Sequence, residues 1–202
     1  MNVVDIFPKR IAIIDNVVFS DDVISSFDNL EIANQPTEWN GTYYSKNTYI
    51  FHDDFYKEMS STIMTHVIEY AKSINLSYDE YQFTQCWITY CAPGKYHMEH
   101  FHSNSLITGV YYFQDQDVNV SSPLIMHNRN TNFFKNMFGN KIEEDMYLIP
   151  YLKNRLVLFP SDINHSVPSN HSKTIRKSLA FNVLPVGCIG NEFGEINFSK
   201  LR

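Results

Sequence analysis

From about Tyr81 onward, the sequence consists of short aromatic and β-branched runs in which apolar side chains recur at every second position. A period of two is the spacing of residues on one face of a β-strand. Turn-forming residues such as Pro93-Gly94 separate the runs, as expected between short strands. The predicted strands are FTQCWITY (83–90), LITGVYYF (106–113), SPLIMHN (122–128), RLVLFP (155–160) and RKSLAFNVLP (176–185).

The first 80 residues carry a different pattern. RIAIIDNVV (10–18) is typical of a strand, and DDVISSF (21–27) of a short helix capped by Asp21 or Asp22. A longer helix is predicted after Asp53 or Asp54, because apolar residues there recur at spacings of four and three. Its apolar stripe is Phe55, Met59, Ile63, Val67, Tyr70 and Ile74.

These patterns predict one domain over residues 1–202, since no repeat or linker divides the chain. Residues 1–80 would form a supporting strand and helix, and residues 81–185 a jelly-roll core. Many short strands after one or two helices favour a mostly β fold with packed helices, a β-sandwich or double-stranded β-helix. Residues 130–141 could be a loop or a lid.

Charge and cysteine content exclude some classes of protein. The net charge of −6 makes nucleic acid an unfavourable partner, because there is no basic field to attract phosphates. Three cysteines without a C-x-x-C pair argue against a disulfide framework. The N-terminus lacks the pattern of a signal peptide, and no apolar stretch is long enough to span a membrane. A cytoplasmic location is therefore expected.

The sequence HMEHFH (97–102) concentrates groups that bind metals. Residues i and i+2 of a strand face the same side, so either His97 with Glu99 or His100 with His102 could hold one ion. The two pairs have opposite parity and could not share one interior in a regular strand. His165, just after a predicted strand, is the candidate third ligand. Taken alone, the cluster could equally be a surface patch, and His165 a turn residue.

Arg176 begins the last predicted strand, eleven residues after His165. An arginine on the inward face of a strand is costly unless an anion pairs with it, and its planar fork fits a carboxylate. The alternative is an ordinary ion pair with Asp162 or Glu192. Every second residue after Arg176 shares its face: Ser178, Ala180 and Asn182.

Together these residues resemble the iron(II)- and 2-oxoglutarate-dependent oxygenases, whose pattern is H-x-D/E, a long gap, His, and then Arg or Lys. The likeness is to the prolyl-4-hydroxylase-like branch, and more narrowly to oxygenases of bacteria and phages with the signature H-x-H-P-x-S-x-x-S-G-x-Y-Y. Here the signature reads HFHSNSLITGVYY (100–112), and LVLFPSDINHSVPSNHSKTIRKSLAFN (156–182) is also similar. The resemblance covers residues 84–183.

The resemblance implies a role for each matching residue. His100 and His165 would bind the metal, and Arg176 would bind the C5 carboxylate of 2-oxoglutarate. His97 falls outside the metal set. The other residues expected around the cosubstrate are Tyr112, Tyr90, Ser178 and Asn182.

The chain departs from the common pattern at His102, where most of the superfamily has Asp or Glu. His102 could bind the metal itself, Glu99 could supply a carboxylate from a distorted strand, or a water could take the position. We favour His102, because i, i+2 geometry allows it without distortion. The predicted catalytic set is then His100, His102, His165 and Arg176.

The resulting prediction is an Fe(II)- and 2-oxoglutarate-dependent dioxygenase that consumes O2, releases succinate and CO2, and hydroxylates its substrate, with ascorbate as a candidate reductant. One alternative is a cofactor-free three-histidine dioxygenase of the cupin type. Another is a jelly-roll binding or structural module without iron. The substrate is not readable from the sequence, although the resemblance favours a protein or amino acid, and exposed strand edges could support a homodimer.

Overall fold

The computed structural model describes residues 1, 8–33, 42–76, 78–117, 120–129, 146–191 and 194–198. The predicted loop at 130–141 and Glu192 lie outside the described residues. Within the described residues the α-helices are α1 (Asp21–Ser26) and α2 (Lys57–Ser73). The strands are β1 (Ala12–Ile14), β2 (Thr42–Tyr44), β3 (Glu80–Cys91), β4 (His97–His100), β5 (Ile107–Tyr112), β6 (Leu124–His127), β7 (Met146–Ile149), β8 (Arg155–Pro160), β9 (Asn164–Val167), β10 (Arg176–Asn191) and β11 (Gly194–Phe198).

The described strands form two antiparallel sheets. The major sheet has the order β1-β8-β5-β10-β3-β2, with β11 paired to β10, and the minor sheet has the order β4-β9-β6-β7. Each predicted core strand is present, and the mostly β fold with packed helices is confirmed. The N-terminal strands β1 and β2 add to the edges of the major sheet. None of the described helices is long and apolar enough to cross a membrane.

Alternation along the major sheet separates two apolar clusters. One cluster joins the sheet to α2, and it includes Leu179, Phe181 and Val183 of β10. The other lies between the two sheets and includes Val110 and Tyr112 of β5. A period of two sends neighbouring residues to opposite faces, so each central strand contributes to both clusters. The predicted faces of β10 are therefore confirmed.

The helical predictions are mostly confirmed, with two corrections. In the stripe of α2, Met59, Ile63 and Val67 are fully buried. Phe55 does not belong to that stripe, because it lies in a 3₁₀ turn before the helix and is 54% exposed. The cap of α1 is Ser20, whose side chain accepts a hydrogen bond from the Val23 N–H, and not Asp21 or Asp22. Those two aspartates lie in the first turn of α1, where their negative charges interact favourably with the positive end of the helix dipole.

Candidate metal centre and carboxylate pocket

A pocket lies between the two sheets, on the face of the major sheet opposite α2. Its floor comes from alternate residues of β3, β5 and β10, and its other wall from β4, β6 and β9. Most of its polar lining consists of residues singled out from the sequence: His97, His100, His102, Tyr112, His165, Arg176 and Ser178.

Three of the pocket histidines form a compact cluster. His100, His102 and His165 each present one ring nitrogen, and these atoms all lie within 4.8 Å of one another. His165 of β9 pairs directly with His100 of β4 across the minor sheet. His102 lies beyond the end of β4, where its backbone N–H donates to the Ser161 carbonyl at 2.9 Å. The three predicted ligands are thus brought together from one strand pair and from the irregular segment that follows β4.

The path of the chain through 97–102 differs from the regular strand assumed in the sequence analysis. The pairing of β4 with β9 shifts register between His97 and His100. Because of this irregularity both His97 and His100 line the pocket, although they are three residues apart. The i, i+2 geometry invoked for His100 and His102 was wrong, since the strand ends at His100. The irregular segment after β4, held by the hydrogen bond from the His102 N–H to the Ser161 carbonyl, brings His102 to the same side.

The ring orientations in this cluster suit metal binding. The Nδ1–H of His100 donates to the Met98 carbonyl at 2.8 Å, and that of His165 to the Ile163 carbonyl at 2.9 Å. A carbonyl oxygen can only accept, so each ring must hold its proton on Nδ1. In such a tautomer Nε2 carries the lone pair, which is the arrangement found in metal-binding histidines.

Burial keeps these imidazoles neutral. Desolvation lowers the pKa of His100 and His102, and it lowers the pKa of His165 still further. For His165 the positive charge that a protonated His100 would carry acts in the same direction. A metal competes with protons for these nitrogens, so a lowered pKa removes that competition near neutral pH.

His97 is close to the cluster but is engaged by other groups. Its ring stacks on His100 with centroids 4.4 Å apart, and its Nε2 is 3.0 Å from the Tyr44 hydroxyl. Burial lowers the pKa of His97 to about 3. This position agrees with its expected place outside the metal set.

Glu99 points away from the three histidines. Its carboxylate accepts from the Arg129 guanidinium, with Nε to Oε1 at 2.6 Å and a second contact from Nη2 to Oε2. His127 of β6 lies 3.8 Å from the same carboxylate. The arginine beside it lowers the pKa of Glu99, so the carboxylate is an ionised partner of Arg129. In this arrangement Glu99 is not a neighbour of His102 in the pocket.

Arg176 occupies the other end of the pocket. Only 2% of its surface is exposed, and its Nε donates to the Ser122 carbonyl at 3.2 Å. The guanidinium lies over the rings of Tyr112 and Tyr151, at 5.3 and 5.0 Å from their centroids. These two rings are themselves stacked 4.3 Å apart. The positive charge of the Arg176 guanidinium is therefore stabilised by the faces of two tyrosine rings and by one carbonyl oxygen.

The described residues provide no counterion for this buried charge. Asp162, one alternative partner, pairs with Lys9 on the surface. The Tyr112 hydroxyl is buried without a hydrogen-bond partner among the described residues. Burial raises the pKa of Tyr112, with Arg176 opposing, so its hydroxyl keeps its proton as a donor. A buried guanidinium beside an unsatisfied hydroxyl fits the carboxylate of a bound ligand.

The remaining predicted cosubstrate residues separate into two groups. Ser178 is buried and lines the pocket. Asn182 also faces this side, but its Oδ1 lies 2.6 Å from Nδ1 of His102 and not near Arg176. Tyr90 points to the opposite face of β3, where it belongs to the cluster under α2 and donates to the Phe27 carbonyl. The expected contact of Tyr90 with the cosubstrate is therefore wrong for this structure.

Sequence reasoning missed two groups that hold Arg176. Tyr151 lies just outside a predicted strand and Ser122 acts through its backbone carbonyl, so neither carried a recognisable signal. Tyr151 is fixed by a hydrogen bond from its hydroxyl to the Lys177 carbonyl at 2.8 Å.

Comparison with solved structures identifies the fold of this chain. Solved structures with the same fold include a prolyl-4-hydroxylase from Pseudomonas putida, with 12% identity, a TM-score of 0.58, and coverage of 86% of this chain and 92% of that one. HygX from Streptomyces hygroscopicus, solved with nickel, 2-oxoglutarate and hygromycin B, has 9% identity and a TM-score of 0.59, covering 88% and 83%. A Trichoplax adhaerens prolyl hydroxylase in complex with a hypoxia-inducible-factor peptide has 15% identity and a TM-score of 0.59, covering 87% and 83%. The double-stranded β-helix prediction is thereby confirmed.

The family comparison adds chemistry to the fold. No curated protein matches the chain. The family model described as "Putative 2OG-Fe(II) oxygenase" matches residues 85–182, the segment that contains the three clustered histidines and Arg176. Iron(II), 2-oxoglutarate and O2 are the cofactor and cosubstrates of that family. This match over just under half of the chain, together with the shared fold, supports an iron- and 2-oxoglutarate-dependent oxygenase that is similar to the 2OG-Fe(II) oxygenase family.

Proposed function

We propose that His100, His102 and His165 hold Fe(II) through their Nε2 atoms, and that this chain hydroxylates a C–H bond of its substrate. The observation that carries the assignment is the fixed tautomer of the cluster, in which oxygen acceptors engage the Nδ1 atoms. Imidazole nitrogens suit iron, and three converging donors match a non-haem iron site in number.

Arg176 and Tyr112 bind the distal carboxylate of 2-oxoglutarate in this proposal. Support comes from the buried guanidinium that lacks a described counterion and from the unsatisfied Tyr112 hydroxyl. Tyr151 keeps the guanidinium in place by stacking with Tyr112 beneath it. Binding of its distal carboxylate would thus orient the cosubstrate from the end of the pocket opposite the three histidines.

With iron and 2-oxoglutarate bound, the site supplies the activation of O2. The net reaction is R–H plus 2-oxoglutarate plus O2, giving R–OH, succinate and CO2. The protein's own part is to bind and orient the groups and to keep water away. Apolar residues do the latter between the sheets, where Val110, Leu124 and Val167 line the pocket.

The direct test measures succinate from purified protein supplied with iron(II), 2-oxoglutarate, ascorbate and O2. Turnover without a known substrate suffices, because uncoupled decarboxylation also releases succinate. We expect succinate that depends on added iron and is lost in Arg176→Ala. Iron-loaded protein that neither binds 2-oxoglutarate nor forms succinate would refute the proposal.

The three clustered histidines would also suit a cofactor-free dioxygenase of the cupin type, which is therefore the second candidate function. There Arg176 would bind a substrate carboxylate, and O2 uptake would proceed without 2-oxoglutarate. The same succinate assay separates the two functions. A non-enzymatic module would bind no iron at all.

For the substrate we propose a peptide or an amino acid. The support is the likeness in fold to the Trichoplax prolyl hydroxylase, which was solved with a peptide. HygX, with a similar fold, was solved with hygromycin B, so the test must include unrelated small molecules. Screening should compare proline-containing peptides with such molecules for stimulation of succinate release and for a mass gain of one oxygen. Stimulation only by molecules that are neither peptides nor amino acids would refute this proposal.

The proposal also includes a homodimer and a cytoplasmic location. Among the described strands, β7 lies at the edge of the minor sheet, and it exposes Tyr147 and Leu148. An exposed apolar edge strand favours pairing with a second copy. Light scattering on wild type and on Leu148→Lys would test this. Three free thiols, Cys86, Cys91 and Cys188, fit a reducing compartment.

A further inference from the structure

A histidine at position 102, where most of the superfamily has a carboxylate, poses a problem of orientation. A carboxylate offers two equivalent oxygens, whereas an imidazole must present one particular nitrogen in one tautomer. His100 and His165 obtain that tautomer from the backbone carbonyls two residues before them, those of Met98 and Ile163. The Nδ1 atom of His102, which lies beyond the end of β4, is instead in contact with side chains of other strands.

We propose that Asn182 is the positioning residue that makes His102 a metal ligand, so that histidine and asparagine act together in place of the carboxylate. This inference rests on the proposed iron site. Oδ1 of Asn182 lies 2.6 Å from Nδ1 of His102, closer than the Thr108 hydroxyl at 3.3 Å. Accepting the Nδ1 proton leaves the lone pair on Nε2, the atom through which His102 would bind the metal in the proposed site.

The position of Asn182 in the sheet explains how it reaches the ring. It pairs with Thr108 of β5, on the pocket face of the major sheet. On its other side, the register with β3 shifts between Asn182 and Val183. Such an irregularity bends a strand locally and is a common way to aim a side chain into a site.

A buried polar chain holds the asparagine in turn. The Thr108 hydroxyl is 3.4 Å from Oδ1 of Asn182 and 2.8 Å from the Ser161 hydroxyl. Ser161 also accepts the backbone N–H of His102 through its carbonyl. Asn182, Thr108 and Ser161 are each no more than 2% exposed. Burying three polar side chains between apolar strands is costly, and here the hydrogen bonds among them connect to His102.

The neutral amide has a further chemical consequence. A carboxylate in this place would draw the Nδ1 proton and make the imidazole more basic and more electron-rich. An amide fixes the ring without adding negative charge. A metal held by three neutral imidazoles with a neutral amide behind them keeps its full positive charge, which favours Fe(II) over Fe(III).

The test measures metal affinity with Co(II) as a spectroscopic probe, so that it does not depend on turnover. Asn182→Ala should weaken Co(II) binding about 10- to 100-fold, the usual effect of removing the partner of a metal-binding histidine. It should also change the visible absorption of the bound Co(II). In a His102→Asp background, where no Nδ1–H exists, the same substitution should change affinity less than about 3-fold. Asn182→Asp should retain binding and lower the midpoint potential of the bound iron.

Asn170→Ala is the matched control. Asn170 is another buried asparagine, 1% exposed, and it donates to the Cys91 and Thr174 carbonyls away from the three histidines. Its replacement should lower stability but leave Co(II) affinity unchanged. If Asn182→Ala does not fold, the lowered midpoint potential expected of Asn182→Asp still tests the inference, and an unchanged potential would overturn it.

Two outcomes would overturn the inference. One is an unchanged affinity and spectrum in folded Asn182→Ala. The other is an equal loss in the His102→Asp background, which would assign Asn182 a purely structural role. Failure of the proposed iron site is distinguishable, because wild-type protein would then bind no Co(II) at all; failure of the oxygenase function alone would show in the succinate assay.

Discussion

Removing the guanidinium of Arg176 should abolish tight binding of 2-oxoglutarate while metal binding persists. Arg176 lies at the end of the pocket away from the clustered histidines and is 2% exposed. Its hydrogen bond to the Ser122 carbonyl does not neutralise its charge. The distal carboxylate of the cosubstrate would therefore meet its main positive partner here.

The magnitude follows from the burial. In Arg176→Ala the carboxylate would be desolvated without a partner, a loss on the order of 2–5 kcal/mol for one member of a buried charge pair. Because each 1.4 kcal/mol is a factor of about ten, the Kd should rise roughly 30-fold to several thousand-fold. Solvent screening does not reduce this range, since the side chain is almost fully buried. Arg176→Lys should recover part of the loss, because an ammonium keeps the charge but not the fork.

The assay is anaerobic calorimetric titration of 2-oxoglutarate into metal-loaded protein, with Co(II) affinity measured in parallel. Lys177→Ala is the matched control, since it removes a charge from the neighbouring residue of the same strand. Lys177 pairs with Asp28 on the surface and should not affect 2-oxoglutarate binding. Unchanged binding by Arg176→Ala, with the fold intact, would show that the carboxylate binds elsewhere.

Three further outcomes follow from the same contacts. His102→Ala should reduce the iron content of purified protein, measured by elemental analysis, far more than Glu99→Ala, because Glu99 is paired with Arg129. A larger loss of iron in Glu99→Ala would instead support Glu99 as the metal ligand. Tyr112→Phe should cost about 1 kcal/mol of 2-oxoglutarate affinity, roughly fivefold in Kd by the same titration, and no change would exclude its hydroxyl as a donor. Gly109→Ala should lower the free energy of unfolding by about 1–3 kcal/mol in urea titrations, since its Cβ would lie 2.0 Å from Cζ of a buried phenylalanine ring; equal stability would mean that this ring can move aside.

Features set by local periodicity could be read from the sequence. The period of two predicted the strands, and it assigned Arg176, Ser178, Ala180 and Asn182 to one face of the last strand. The same parity places Tyr90 opposite the pocket, because Cys91, the next residue of β3, lines it. The mistaken role for Tyr90 came from the resemblance and conflicted with the alternation of its own strand.

Features set by pairing between strands could not be read in this way. Whether His97, His100 or both face the pocket depends on a register shift against β9, which lies more than sixty residues further along the chain. Likewise the partner of Glu99 is Arg129, at the end of another strand pair. Nothing in the local pattern of 97–102 specifies either contact.

The sequence by itself determined the strand alternation, the donors and their order along the chain, because each depends only on residue type and on backbone geometry over a few residues. Only the tertiary structure decided which nitrogen His102 presents and what holds the buried arginine. Those properties depend on contacts between distant segments: the hydrogen bond between Nδ1 of His102 and the amide oxygen of Asn182, and the ring of Tyr151 under the Arg176 guanidinium. Such contacts form where the two sheets pack together, and sheet packing is a property of the whole fold.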